Sequence, residues 1–215
     1  MTLAYHQNEL KIQQNPDDPR NNHPVVPATA RRILDVGCGI GQTMLTTRLP
    51  AGALAIGIDI DQEALAYGAS MSPRFGFVGA SVERLPFTAG AFDFVYSRVA
   101  LPWVHIPSAL SEIARVTAPG GQVWCSLVSF STAVAEFRAA AKQRSPRNLL
   151  FRSYVVANGV LFHLTGRQLR FPLRRSRCES FQTVRGMARA MSAAGFEDVR
   201  NEPGRFFVMT ATKPR

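Results

Sequence analysis

Three glycines at alternate positions, Gly37, Gly39 and Gly41, come directly after the run Ile33 to Val36. We interpret this run as a buried parallel strand that ends in a tight loop and opens onto a helix. Glycine suits such a loop because it adopts backbone angles that other residues avoid and lets the main chain approach a ligand closely. The sequence therefore predicts a ligand on this loop.

An acidic residue, Asp59, ends the next apolar run at about twenty residues from the glycine loop, a distance at which a carboxylate reaches ribose hydroxyls. Its alternative role is a helix N-cap, which we assign to Asp61 because a helical pattern begins just after it. Dinucleotide-binding folds share both features, but their third glycine falls where this chain has Gln42. The pattern thus predicts a nucleoside ligand of another kind.

The chain from residue 31 onward alternates short apolar strands with helical segments, which predicts a parallel sheet with helices on both faces. We predict one helix from Ser108 to Val116 and another that Ser180 caps and Gly195 ends. The last two strands should pair antiparallel. The predicted strands are 33–36, 55–59, 75–79, 92–97, 122–127, 199–201 and 206–211.

Five ordered segments, Ile33 to Gly41, Gly57 to Asp61, Glu83 to Phe87, Phe92 to Ser97 and Glu112 to Gly121, carry a family resemblance. Together they resemble the class I S-adenosylmethionine-dependent methyltransferases, in the branch with quinone-biosynthesis and natural-product enzymes. The resemblance covers about residues 31–128 and returns at 194–199. It implies a Rossmann-like doubly wound α/β sheet, mostly parallel with an antiparallel last strand. It also implies S-adenosyl-L-methionine as the cofactor.

The same resemblance implies a set of cofactor-binding residues. One position departs from the family, which usually has an aspartate for the adenine amino group where this chain has Ser81. A hydroxyl accepts that hydrogen bond less strongly than a carboxylate does. The apolar side chain of Ile60 would cover the adenine face. The full implied set is Asp35, Gly37, Gly39, Gly41, Asp59, Ile60, Ser81, Val82 and Ser97.

The segment Ser97 to His105 is where the family places groups beside the transferred methyl. It has neither the Asn/Asp-Pro-Pro-aromatic motif of base-amine methyltransferases nor the aspartate that metal-dependent catechol enzymes need, so we predict no metal. Methyl transfer from a sulfonium is a direct in-line displacement, which mainly requires positioning. His105 is the candidate general base, or else a loop histidine. Trp103 either walls the acceptor pocket or packs beneath the following helix.

Residues 1–30 are polar and proline-rich, and precede a methyltransferase domain over 31–215. We predict a short helix from Leu3 to Gln13 in an arm that is either loosely ordered or folded over the cofactor mouth. Folding would bring Tyr5, His6 or His23 near the substrate. No apolar run spans a bilayer and no signal peptide is recognisable, so we expect a soluble, cytoplasmic monomer or homodimer.

Positive charge concentrates between residues 131 and 194, where twelve basic residues face two acidic ones, equal to the net +10 of the whole chain. This region includes a cap over the acceptor site at about 131–180, with Arg152, Tyr154 and His163 as predicted substrate-binding residues. Such a field attracts a small acidic metabolite or a nucleic acid. We favour the metabolite because no added RNA-binding module is present. A third alternative is a binding protein without catalysis, which the Ser81 departure suggests.

Overall fold

A computed structural model of the chain describes residues 2–128, 130–142, 146–173 and 178–215. Part of the predicted basic cap falls elsewhere: Arg144, Arg174, Arg175 and Arg177 lie outside the described residues, and so do the side chains of Glu136 and Lys142. The arginines of this basic region that the structure does describe are Arg138, Arg147, Arg152, Arg167, Arg170, Arg185 and Arg189.

The described residues form a seven-stranded sheet in the order β3-β2-β1-β4-β5-β7-β6, in which β7 runs antiparallel to both of its neighbours and the other pairs are parallel. This confirms the predicted doubly wound α/β fold. The strands are β1 (Arg32–Val36), β2 (Leu54–Asp59), β3 (Gly76–Gly79), β4 (Phe92–Arg98), β5 (Thr117–Leu127), β6 (Glu197–Glu202) and β7 (Phe207–Thr212). The helices are α1 (Leu3–Gln14), α2 (Gln42–Thr46), α3 (Gln62–Met71), α4 (Ile106–Val116), α5 (Phe130–Lys142), α6 (Pro146–Thr165) and α7 (Val184–Ala193).

Alternate residues of the central strands point to opposite faces of the sheet, each with its own apolar core. Leu34 of β1 belongs to the core that contains α4 and α7, whereas Ile33 belongs to the core that contains side chains of α2 and α3. Both side chains are fully buried. Because both faces of the sheet are covered, a ligand is expected at the carboxyl ends of the strands.

Two predicted helix starts are wrong, and side-chain capping gives the reason. Helix α4 begins at Ile106 rather than Ser108, because His105 caps it and a proline fits its first turn. Helix α7 begins at Val184 because the hydroxyl of Thr183 accepts from the N–H of Gly186, whereas Ser180 bonds the side chain of Gln168. The predicted Asp61 cap of α3 is confirmed.

Helices α5 and α6, called the cap helices below, form an insertion between β5 and β6. Helix α6 packs against α5 and α7, with Phe162 and Met187 fully buried between the elements. A Cβ on Gly159 would come 2.2 Å from the Phe181 ring, so glycine permits this close packing. None of the described helices has the length and apolar content needed to cross a membrane.

Candidate functional site

A cavity of about 530 Å³ opens at the carboxyl ends of β1, β2, β4 and β5. Its position is the one at which open α/β sheets bind ligands. Seven of the residues that the sequence singled out for binding line it: Tyr5, Gly37, Asp59, Ile60, Ser81, Val82 and Trp103. These residues surround one cavity, and their contacts with a bound molecule remain predictions.

The glycine loop adopts the backbone conformations for which glycine was expected. Gly37, Gly39 and Gly41 have φ angles of +77°, +55° and +79°. Gly37 lines the cavity, and a Cβ there would lie 2.2 Å from the Cβ of Ala100. The other two glycines are not in the cavity wall, because His6 covers Gly39 and the Phe77 ring lies against Gly41. Of the three, the structure brings only Gly37 to the ligand space.

The carboxylate of Asp59 holds the glycine loop as well as facing the cavity. Its Oδ2 accepts the N–H of Gly39 at 2.8 Å, and its Oδ1 accepts the N–H of Asp61 at 3.0 Å. Each carboxylate oxygen has a second lone pair, so both can still accept from hydroxyls of a ligand. The arrangement fits a ribose diol and at the same time fixes the loop.

The segments that follow β2 and β3 supply an apolar ledge beside Asp59. The Ile60 side chain is 76% exposed and forms part of the cavity wall, as an apolar cover for a planar ring would. Next to it, the Ser81 hydroxyl accepts the N–H of Glu83 at 3.3 Å, and the Val82 side chain is buried. The Ser81 hydroxyl retains its own proton, so it can also donate a hydrogen bond.

Two predicted cofactor-binding residues lie beneath the cavity rather than in its wall. Asp35 is 1% exposed, and burial raises the pKa of its carboxyl to about 7. The hydroxyl of Ser97 donates to the carbonyl of Val36 at 3.0 Å. The two side chains lie on opposite faces of the sheet, Asp35 on the face of Tyr96 and Ser97 on the face of Val95, and their binding roles stay predictions.

The N-terminal arm is folded over the cavity, which decides between the two alternatives left open by the sequence. Its helix α1 contributes Tyr5, His6 and Glu9 to the wall. Glu9 pairs with Arg98 at 2.9 Å, and Arg98 also donates to the Thr43 hydroxyl at 3.2 Å. The ion pair therefore ties the arm to the end of β4, a link that sequence reasoning missed because its members are 89 residues apart.

His23, the other arm histidine, is not among the residues that line the cavity. Its Nδ1 lies 3.2 Å from the Thr47 hydroxyl and its Nε2 lies 3.3 Å from the Gln13 carbonyl. Both ring nitrogens serve contacts within the arm and with the end of α2, and an approach of His23 to the substrate stays a prediction.

Strain is concentrated where β4 leaves the sheet. Val99 has a φ of +58°, which is costly for a β-branched residue and is sustained only where surrounding contacts enforce it. Its N–H donates to the Ser126 carbonyl at 2.9 Å, and its own carbonyl accepts from the Trp103 indole at 3.1 Å. Trp103, which is 41% exposed, is thereby held as part of the cavity wall.

His105 is not among the residues that line the cavity, and its role as general base stays a prediction. Its Nδ1 lies 2.7 Å from the Ser108 hydroxyl and accepts the Ser108 N–H at 3.3 Å, while its Nε2 lies 3.2 Å from the Gln168 carbonyl. The ring therefore caps α4 and joins it to the segment after α6. Gln168 is 62 residues from Ile106, whose N–H it accepts at 2.7 Å.

The predicted substrate-binding residues of the cap are also absent from the cavity wall. Arg152 lies 3.7 Å from a carboxylate oxygen of Glu179. The Tyr154 hydroxyl donates to the Leu169 carbonyl at 2.6 Å, and His163 lies 2.9 Å from the Thr183 hydroxyl. These three side chains hold the cap together. The cap reaches the cavity rim instead through Arg170, which pairs with Glu83.

Glu83 shows how this rim is neutralised. Desolvation opposes ionisation, but hydrogen bonds from Arg170 and from the N–H of His105 hold the pKa of its carboxyl below the usual range.

Among the described residues, no group of three His, Cys, Asp or Glu side chains is arranged to hold a metal ion.

The family profile described as "Methyltransferase domain" matches residues 34–125, which span β1 to β5. Over these residues, which make up less than half of the chain, the chain is similar to methyltransferase domains. Its cofactor is S-adenosylmethionine, and the residues present fit that molecule: an open main-chain bend at Gly37 lies beside a carboxylate with free lone pairs at Asp59. Gln42, whose buried side-chain oxygen has no hydrogen-bond partner in the described part of the chain, adds a polar position to the same wall.

Curated relatives share this domain over about half of the chain. The chain is 34% identical over 104 residues to malonyl-[acyl-carrier protein] O-methyltransferase of Erwinia pyrifoliae, covering 48% of this chain and 39% of that protein. It is 35% identical over 112 residues to the biotin biosynthesis bifunctional protein BioHC of Cellvibrio japonicus, covering 50% and 22%. The chain thus spans less than half the length of these relatives.

Among solved structures, human N-acetylserotonin methyltransferase in complex with SAM superposes on the methyltransferase domain with a TM-score of 0.56. The sequences are 17% identical, and the match covers 87% of this chain and 49% of that one. The likeness supports the fold.

Proposed function

We propose that the protein transfers the methyl group of S-adenosylmethionine to a small, anionic acceptor that enters between the arm helix and Trp103. The observation that carries the proposal is one continuous cavity that joins Gly37 and Asp59 to an aromatic and polar wall supplied by α1. The malonyl-carrier-protein O-methyltransferase relative supports a carboxylate as the kind of group that is methylated.

The chain's own residues would act mainly by positioning. S-adenosylmethionine supplies an activated methyl group on a sulfonium, so the reaction needs alignment of a nucleophile and exclusion of water. Asp59 would hold the ribose, while Ile60, Ser81 and Val82 would hold the adenine. The arm and Trp103 would close the space around the transferred methyl, and the Glu9–Arg98 ion pair would keep the arm in place.

An acceptor that is already ionised removes the need for a general base. His105 caps α4 instead of facing the cavity, and the carboxylate of Glu9 is paired with Arg98. A carboxylate or phenolate acceptor attacks without losing a proton, so direct displacement needs no proton transfer to the protein. This chemistry matches the wall better than an alcohol or an ammonium group would.

Long-range charge supports the same acceptor class. The segment 131–194 carries the equivalent of the whole net charge, yet Arg152, Arg170 and Arg189 each contact protein oxygens. These arginines therefore act on an anion through the summed field more than through direct bonds. At the mouth itself, the largely exposed Arg20 is paired with Asp18 at 2.9 Å, so it too acts mainly through the field.

The test is incubation of the protein with donor labelled in its methyl group and a fractionated metabolite extract, followed by identification of the labelled product. A labelled ester or aryl ether of an acidic metabolite is the expected product. Donor binding without turnover on any fraction would favour a binding protein. Strong, salt-sensitive binding of tRNA with label in the RNA would favour the nucleic-acid alternative.

A further inference from the structure

The ring of His6 is buried in the cavity wall without a hydrogen bond. It is 4% exposed, and neither ring nitrogen has a hydrogen-bond partner among the described residues. The acidic oxygen recorded beside it is Oδ2 of Asp61, 3.9 Å from Nε2, which is beyond hydrogen-bonding distance. Leaving a buried polar group unpaired costs about 1–3 kcal/mol, so a ring kept in this state needs an explanation.

The ring lies directly on the ligand-binding bend. A Cβ built on Gly39 would come 2.3 Å from Nδ1 of His6 and 3.0 Å from Oε1 of Gln42. The Gln42 oxygen is also buried and has no hydrogen-bond partner among the described residues. Two polar groups without partners therefore meet above a glycine whose N–H is held by Asp59.

The fold holds His6 at this place from both sides in the chain. The Thr2 hydroxyl caps α1 by accepting the N–H of Tyr5, and Glu9, three residues beyond His6, forms the ion pair with Arg98. The helix backbone that carries His6 is therefore fixed beside the cavity, and the ring itself is 4% exposed. An unpaired but firmly held polar ring is typical of a group that awaits a ligand.

We propose that His6 is a cofactor-binding residue, whose ring hydrogen-bonds the ribose hydroxyls of S-adenosylmethionine on the side opposite Asp59, with Gln42 as its neighbour. The inference rests on the proposed function, since it needs the nucleoside to lie on the bend. A neutral imidazole has one donor and one acceptor, which matches a hydroxyl group. Burial lowers the pKa of the His6 ring against the opposing effect of Asp59 and Asp61, which favours this neutral form.

The experiment compares the intact protein with His6→Phe, which keeps the ring's volume above Gly39 and removes both nitrogens. Calorimetry would measure the affinity for S-adenosylhomocysteine, adenosine and 2′,3′-dideoxyadenosine. We expect His6→Phe to weaken the first two about 2- to 10-fold, the equivalent of one neutral hydrogen bond, and to leave dideoxyadenosine unchanged. Thermal unfolding of the ligand-free variant should show no loss of stability, because an unpaired buried group has been removed.

A matched control is His23→Phe, which changes the other arm histidine. Its ring is bonded to Thr47 and Gln13, so this variant should lower the melting temperature and leave all three affinities unchanged. As a second readout, the ring nitrogen resonances of His6 in the unaltered protein should shift when adenosine binds and not when dideoxyadenosine binds. This readout does not depend on whether a variant folds.

The outcomes separate the two proposals. If the unaltered protein binds S-adenosylhomocysteine and His6→Phe binds it equally well, the role of His6 is overturned and the proposed function stands. An equal loss for adenosine and dideoxyadenosine would also overturn it, because the contact would then lie away from the hydroxyls. If the unaltered protein binds none of these molecules, the proposed function fails first.

Discussion

The residues predicted to bind a ligand fall in two regions, the strand ends around the glycine loop and the helical insertion of α5 and α6. The structure places only the first group at the cavity. Residues predicted at the ends of β1, β2 and β3, such as Gly37, Asp59 and Ser81, meet at one cavity. In contrast, the residues predicted in the insertion, Arg152 and Tyr154, contact other parts of the cap. The first region presents side chains to a ligand, and the second uses its polar side chains to hold itself together.

The difference reflects how far each position is determined by the chain around it. A parallel strand delivers the residue after it to the carboxyl edge of the sheet, whatever the rest of the protein does. The sequence of a helix does not determine what its polar face contacts, because the element that covers this face comes from elsewhere in the chain. Polar residues on α6 were therefore compatible with a pocket or with internal bonds, and the fold selected internal bonds.

The largest expected effect concerns Asp35, which is buried at the end of β1 just before the glycine loop. The pKa of Asp35 is raised to about 7 in the folded protein by burial, so its charged form is disfavoured there relative to the unfolded chain. Stability should therefore fall as pH rises from about 4 to about 7, by roughly 4 kcal/mol if the whole shift of some three units is realised. Asp35→Asn should abolish this decline in chemical denaturation.

Asp93 provides the control of opposite sign. Desolvation is outweighed by hydrogen bonds from Arg31 and Arg32, which hold the pKa of its carboxyl below the usual range. Its contribution is present above the unfolded pKa and is lost as pH falls, so Asp93→Asn should weaken the protein at neutral pH and not in acid. If the difference in free energy of unfolding between Asp35→Asn and the unaltered protein stayed constant from pH 4 to 7, burial would not be raising the pKa of Asp35.

The second prediction tests the ligand side of the strand ends. Asp59→Ala removes an acceptor for the ribose and the two bonds that hold Gly39 and Asp61, so we expect S-adenosylmethionine to bind at least about 100-fold more weakly. Calorimetry measures this directly. Unchanged affinity in a folded variant would remove the ribose assignment and with it the contrast between the two regions.

A smaller effect is expected at His105, where strand end and insertion meet. His105→Ala deletes the cap of α4 and the contact with Gln168, so the free energy of unfolding should fall by about 1 kcal/mol. Neither kcat nor its pH profile should change. A variant that still binds the cofactor but has lost turnover and one limb of the pH profile of kcat would identify His105 as the general base. The distinction between ligand-facing strand ends and a self-contained insertion would then fail.

The smallest effect is expected inside the insertion. Tyr154→Phe leaves the Leu169 carbonyl without its 2.6 Å donor, which should cost about 1 kcal/mol or less because water can reach this exposed site. The KM for the acceptor should stay the same. A rise in KM at constant stability would show that the insertion contacts the substrate after all.

Much of the fold followed from local patterns. The strand order places the glycine loop and Asp59 side by side because adjacent parallel strands end at the same edge, and the positive φ angles of the loop required glycine. The Asp61 cap was readable because a capping carboxylate acts within three residues of itself. These features depend on neighbours in the chain or on a repeated strand geometry.

The sequence by itself therefore determined the sheet, the bend and the carboxylate beside it. Only the tertiary structure decided that the arm closes over the cavity, that His6 is the arm histidine in its wall, and that His105 serves the cap. Each of those outcomes depends on a partner far along the chain, such as Arg98 for Glu9 or Gln168 for His105. A hydrogen bond or an ion pair acts over a few ångströms in space, and the folded packing alone sets which distant residues come that close.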